Sequence, residues 1–314
     1  MLGLLEAKLD AEPSTAYLMT YKQGKCTANC GFCPQARTSK SSTELLSRVS
    51  WPAFPTQGVI DALGKAGQGK IRRVCIQALN YPGVFTHLEA LVKEIKKGSA
   101  LSFSVSCQPK TKADIEQLAA SGVDRLGIAV DAASEKLFNK VKGLDVGGSY
   151  CWDTIFRRLE EALAVFGKGN VSTHLIVGLG ETEKEAAEFL QRCVDLGVLP
   201  ALFAFTAVRG TALEAKPPPK LESYRRIQLS RYLIVSGRTR AAKMQFNGEN
   251  EITSYGLTKE ALNKIIESGL PFQTSGCPDC NRPYYNEKPS GPIYNYPKKL
   301  TEQEIEKIKN QLRY

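Results

Sequence analysis

The chain has 314 residues, 42% of them hydrophobic, and carries a formal net charge of +10 with nine cysteines and only two histidines. That length and apolar content suffice for a large core. No apolar run of about eighteen residues exists, which excludes a membrane-spanning helix, and two histidines leave little room for histidine-based metal sites or general-base chemistry.

The opening, MLGLLEAKLDAEPST, carries acids early and lacks a basic region followed by a long apolar one. It reads as a short helix or arm and not as a signal peptide, and a cytoplasmic location follows. The segment AYLMTY (16–21) reads as a first strand, RRVCIQAL (72–79) as a second and LSFSVSC (101–107) as a third. RLGIAV (125–130), VSTHLIVG (171–178) and ALFAFTAV (201–208) continue the series, and AKMQFN (242–247) and LPFQTS (270–275) are fainter members. Amphipathic stretches such as HLEALVKEIKKG, KADIEQLAASG and EKEAAEFLQRCVDLG lie between them, several ending in the glycine that commonly stops a helix. Strand and helix alternating eight times argues for a parallel sheet of α/β class, closed as a (βα)8 TIM-type barrel. An open six-unit barrel with a C-terminal extension is the alternative. The domain reading is a barrel over 1–275 and an extension over 276–314 that lies across the barrel mouth, rich in Pro, Gly, Tyr and Asn and ending in a short helix, TEQEIEKIKNQL.

Three cysteines, Cys26, Cys30 and Cys33, sit in KCTANCGFCPQA just after the first predicted strand. That position is the C-terminal mouth of a barrel, where barrel active sites are built. Three thiolates can each bind one iron of a [4Fe–4S] cube and leave the fourth iron open to a substrate, whereas structural zinc closes with four protein ligands. Of the remaining six, Cys75 lies within the second strand and Cys107 at the end of the third, and Cys151 and Cys193 read as ordinary small apolar residues. Cys277 and Cys280, in CPDC, form a chelating or redox pair, placed by barrel closure at the same mouth as the first three.

The spacing C-x3-C-x2-C, with aromatic Phe32 before the third cysteine, resembles the radical SAM superfamily. The resemblance implies that the open iron chelates S-adenosylmethionine (SAM) and that the reduced cluster cleaves it to a 5'-deoxyadenosyl radical. Further along, THLIVGLGET (173–182) resembles the family's fifth-strand motif G-x-I-x-G-x-x-E, with Ile176, Gly178 and Glu181 in register and His174 where the first glycine belongs. Asp131 falls at the fourth-strand end, where the family binds ribose hydroxyls. Arg158, with Arg157 a rival, falls near the arginine for the SAM carboxylate, and Gly210 lies in the sixth-strand turn that meets adenine.

Within the superfamily the chain is most similar to biotin synthase and its relatives. RRVCIQA and FSVSCQP match the strands that give that enzyme two auxiliary-cluster cysteines, but Ser172 stands where it has a third and a segment near Lys243 where it has an arginine. A second [4Fe–4S] cluster held by some combination of Cys75, Cys107, Cys277 and Cys280 is the resulting expectation. The tail resembles the biotin-synthase-like proteins that work in pairs as the two-subunit lipoyl synthase of archaea. That resemblance implies sulfur insertion into the octanoyl chain of a carrier-protein lysine, a sister radical SAM subunit and an electron donor such as ferredoxin. The net charge suits an acidic lipoyl carrier; nucleic acid ranks low because no RNA-binding module is appended. Biotin synthase-like sulfur insertion into another small substrate, a radical SAM methyltransferase or carbon-skeleton enzyme, and a non-catalytic SAM and iron–sulfur partner subunit are the alternatives.

Overall fold

The computed structural model describes residues 2, 11–66 and 70–312, so the reading of the opening arm falls mostly outside the described residues. Six strands form one parallel sheet in chain order: β1 (Thr15–Met19), β2 (Arg73–Gln77), β3 (Ser102–Ser106), β4 (Arg125–Gly127), β5 (Val171–Val177) and β6 (Leu199–Ala204). The intervening helices are α1 (Thr56–Ala66), α2 (Val84–Gly98), α3 (Lys112–Ala120), α4 (Glu135–Val141), α5 (Trp152–Phe166) and α6 (Glu183–Leu196). After β6 come α7 (Leu221–Val235), α8 (Lys259–Glu267) and α9 (Glu302–Leu312). Strand alternation divides the side chains between two environments. In β2, Val74 and Ile76 are fully buried among the hydrophobic core residues, while Arg73, Cys75 and Gln77 have the opposite parity and face the lumen. Helix starts are specified locally: Thr111 with Asp114 and Thr182 with Glu185 form reciprocal capping boxes.

The open six-unit barrel is therefore the architecture, and the two fainter segments are not barrel strands. AKMQFN becomes a 3-10 turn, Ala241–Lys243, and a two-residue strand, Gln245–Phe246, paired antiparallel with Ile252–Ser254. It lacks the continuous apolar run of a parallel strand covered on both faces. LPFQTS opens with a 3-10 turn, Leu270–Phe272, and only Gln273 makes an isolated bridge, to Tyr296. Pro271 has no N–H to give a ladder.

An open sheet leaves β1 and β6 as edges with unpaired backbone groups. The chain after residue 272 occupies that gap. Ser275 Oγ accepts from Leu202 N of β6 at 2.8 Å. At the start of β1, Ser14 Oγ donates to Asp279 O and Ser14 N to Asn281 Oδ1 at 3.1 Å. The chain then turns back: Arg282 N donates to Tyr17 Oη at 2.8 Å, and Thr206 Oγ1, beyond the end of β6, donates to Asn286 O at 2.8 Å. The tail thus descends to the N-terminal ends of the strands and climbs through the lumen to the mouth. Asp279, Arg282 and Tyr284 hold left-handed φ values of 64°, 33° and 57° along this climb.

Ser275→Ala leaves the buried Leu202 N–H without its acceptor. It is expected to lower stability by roughly 1–3 kcal/mol, read as a lower urea midpoint at unchanged m-value.

Candidate active site

The connection from β1 to α1 carries the three-cysteine loop. Its turns are tied by Cys26 N to Gln35 O, Cys33 N to Cys30 O and Ala36 N to Cys33 O, each at 3.0 Å, and Gly31 N reaches Val141 O at 2.7 Å. Lys25 Nζ clamps the loop through Pro34 O at 2.7 Å and Ser41 O at 2.5 Å. Cys26 Sγ accepts from Asn80 N at 3.1 Å and Ala28 N at 3.5 Å. Burial pushes the Cys33 thiol up to about 12 and raises Cys30 as well. Both therefore stay protonated unless a cationic centre displaces the protons, as bound iron does.

Around this loop lie the groups that frame the mouth. Asp131 has a left-handed φ of 72° and rejoins the sheet by a bridge to Leu175. Its carboxylate is buried with Lys142, Nζ to Oδ2 at 2.6 Å, and Lys142 also donates to Ala129 O at 2.5 Å and lies 5.2 Å from the Tyr150 ring centre. Phe32 and Ile176 line the same cavity as the three cysteines. Gly178, at φ 103°, starts a turn whose N–H groups at 178, 179 and 180 all point at the Glu181 carboxylate, at 2.5–3.1 Å. Gly210, at φ 85°, lies against the backbone of the cysteine segment: an added Cβ would meet Ser41 N at 2.5 Å and Lys40 C at 2.8 Å. Arg158 is turned elsewhere on α5, paired with Glu161, its Nε buried without a partner among the described residues.

The CPDC pair is not at the mouth beside the first cysteines. The tail carries it down into the lumen, because the edges it must satisfy run the length of the barrel. Register explains the grouping. Cys75 stands opposite Tyr17 on one side and Ser104 on the other. Tyr17 Oη lies 3.6 Å from Cys280 Sγ, and Ser104 Oγ lies 3.7 Å from Cys277 Sγ. The three thiols thus converge on one row of the sheet, where burial raises Cys75, with smaller contributions from Cys280 and Cys277. Arg73 Nη1 donates to Ser104 Oγ at 3.1 Å beneath them. Cys107 does not join. It continues the parity of Phe103 and Val105 and has Asp114 of α3 as its charged neighbour, while Cys75 has Cys280 and Cys277.

Between the two cysteine groups lies a layer that the strand alternation alone does not reveal. The His174 ring lies tilted against Phe203 with centroids 4.7 Å apart, the Arg282 guanidinium lies 3.8 Å over the same ring, and Tyr285 meets it edge-on at 5.9 Å. Burial lowers His174 to about 4, so its imidazole is neutral. One cavity of about 750 Å³ touches Cys26, Cys30 and Cys33 at one end and Cys75, Cys277 and Cys280 at the other. Among the described residues no three His, Cys, Asp or Glu side chains are gathered tightly enough for a single metal ion.

The sequence pattern of the Radical SAM superfamily matches residues 20–193, more than half of the chain. Biotin synthase of Synechococcus sp. (strain WH7803) is 25% identical over 248 residues, 76% of this chain and 72% of that protein. The mitochondrial biotin synthase of Arabidopsis thaliana is 27% identical over 284 residues, 82% of this chain and 71% of that protein. Among solved structures, methylornithine synthase superposes with a TM-score of 0.55 at 16% identity, over 71% of this chain and 63% of that one. The FeFe-hydrogenase maturase HydG from Carboxydothermus hydrogenoformans does so with 0.53 at 16%, over 72% and 52%. These structures share the fold. The chain belongs to the Radical SAM superfamily, and a [4Fe–4S] cluster and SAM are its cofactor and co-substrate.

Lys142 escaped the sequence reading, since nothing in LFNKVKGLD marks that lysine as buried. Lys142→Met leaves Asp131 buried without its partner and is expected to cost about 3–5 kcal/mol, much of it recovered in Lys142→Met/Asp131→Leu; chemical denaturation of both variants checks this.

His174 predicts a pH effect. Its folded pKa lies below the ordinary value of 6.5, so the unfolded chain binds the extra proton first. Stability is complete above about pH 6.5 and falls by on the order of 2–3 kcal/mol as pH drops toward 4. His174→Phe is expected to flatten that part of the stability–pH curve.

Proposed function

We propose that this chain is a sulfur-inserting enzyme acting on unactivated C–H bonds, with lipoyl synthesis, octanoyl-lysine to lipoyl-lysine on a carrier protein, as its reaction. One observation carries the reading: a single cavity joins the three-cysteine loop to a second group of three cysteines. When bound, the first cluster with SAM supplies a 5'-deoxyadenosyl radical and a second cluster supplies sulfur to the carbon radical so made.

The chain's own residues divide the remaining work. Cys26, Cys30 and Cys33 hold the first cluster, the N–H groups of Asn80 and Ala28 supporting the Cys26 thiolate. Phe32 and Ile176 bound the nucleoside, Asp131 takes the ribose hydroxyls, and Lys142 holds Asp131 in place. Gly178 and Gly210 shape the turns behind it, and Arg158 reaches the SAM carboxylate on exchanging Glu161 for it. Cys75, Cys277 and Cys280 hold the second cluster without Cys107. Asn80, which bonds Cys26, is five residues along the chain from Cys75, so the two sites stand no more than roughly 17 Å apart along the strand direction. A chain of eight carbons spans much of that gap.

Anaerobically reconstituted protein is expected to hold about eight irons per chain, and about four in Cys277→Ala/Cys280→Ala, with Cys107→Ala unchanged. About four irons in the unmodified chain defeats the second cluster. With an octanoyl-lysyl peptide, a reductant such as ferredoxin and, where required, a sister subunit, deoxyadenosine should form together with a sulfur-containing product. Equal turnover of dethiobiotin would reassign the substrate.

A further inference from the structure

Two neighbouring connections at the mouth of the barrel are rich in cations. The connections that follow the strands form the mouth face. Residues 20–55, between β1 and α1, hold Lys22, Lys25, Arg37, Lys40 and Arg48 against a single acid, Glu44. The β6–α7 connection, 205–220, holds Arg209, Lys216 and Lys220 against Glu214. These two connections are neighbours: Lys40 N donates to Gly210 O at 2.8 Å, which sets Lys40 beside Arg209.

Several of these cations have structural work. Lys25 clamps the cysteine loop, Arg37 bonds Thr27 O and Gly147 O, and Arg48 bonds Tyr284 O and Glu287 O at 2.7 Å each. Lys40, Arg209 and Lys220 are exposed, and among the described residues no ion pair engages them. At the opposite end Lys70 pairs with Glu12 and Arg72 with Asp279 at 3.7 Å, while Lys168, between α5 and β5, is exposed. The mouth therefore presents three exposed cations outside any ion pair among the described residues.

The same connection supplies the entrance of the cavity. Leu46, Val49, Trp51, Pro52 and Phe54 line it, with Phe54 37% exposed and Tyr21, just past β1, 74% exposed. An apolar passage on the face that carries these exposed cations suits a ligand with two parts, an apolar arm that enters and an acidic body that stays outside. A nucleic acid would match the cations but not the passage.

We propose that this face docks an acidic carrier protein, with Lys40, Arg209 and Lys220 as its cationic contacts and residues 46–54 as the passage for its acyl arm. The proposal rests on the sulfur-insertion reading for the nature of the arm; the docking itself is tested separately. Binding of the full chain to an octanoylated acidic lipoyl domain is measured by titration calorimetry, beside turnover of a short octanoyl-lysyl peptide.

Lys40→Glu/Arg209→Glu/Lys220→Glu is expected to raise the Kd for the domain at least tenfold and to leave peptide turnover within twofold. Added salt should weaken the unmodified chain and hardly affect the variant. Lys97→Glu, on α2 away from the mouth, should bind as the unmodified chain does. Unchanged affinity in the triple variant overturns the docking surface whatever the peptide shows. Tighter binding of single-stranded RNA, lost with the same three reversals, also overturns it. Absence of sulfur-containing product from both peptide and domain, with charge-dependent binding intact, overturns the sulfur-insertion reading and leaves the docking surface standing.

Discussion

A parallel sheet that stops at six strands must satisfy two edges, and the rest of this molecule is arranged around that requirement. β1 and β6 each present backbone groups that no seventh or eighth strand pairs. The tail answers with side chains and turns: Ser275 takes the Leu202 N–H, and the backbone around Asp279 meets Ser14 and Thr15. A ladder of strands would have filled the gap with regular structure. An irregular segment fills it and also projects side chains into the lumen, which brings Cys277, Cys280, Arg282 and Tyr285 inside.

The strands were legible because their apolar runs are buried on the outer face and their small or polar residues line the lumen. Alternation carried more information than position alone. In RVCIQ the cysteine alternates with valine and isoleucine that pack outward, so Cys75 points inward. In SFSVSC the last cysteine shares parity with phenylalanine and valine, and its charged neighbour is Asp114 of α3 and not the other thiols. Counting cysteines at strand ends groups the two together; their phase separates them. The route of the tail had no such signal. CPDCNRPYYNEKPSGP has no periodicity, and its depth in the barrel follows from edge hydrogen bonds between residues more than 260 positions apart.

The mouth shows how charge is managed in a nearly closed chamber. Asp131 is held on a left-handed backbone and neutralised by Lys142, whose stem passes under Tyr150. Deeper in, the neutral His174 and cationic Arg282 share the faces of Phe203. The His174 imidazole lines the lumen beside Phe203, so the chamber carries a polar wall between its two cysteine groups.

The path of the tail also fixes an order of events during synthesis. Cys26, Cys30 and Cys33 are synthesised before every strand of the sheet but the first, and the sixth strand is complete at Ala204. Cys277 and Cys280 follow about seventy residues later, at a bacterial-to-eukaryotic elongation rate some 4–15 seconds behind. Through that interval Cys75 lacks its two thiol neighbours and the sheet edges lack the tail that satisfies them. The second set of thiols is completed only when the final segment threads in, so the chamber is sealed last and from within.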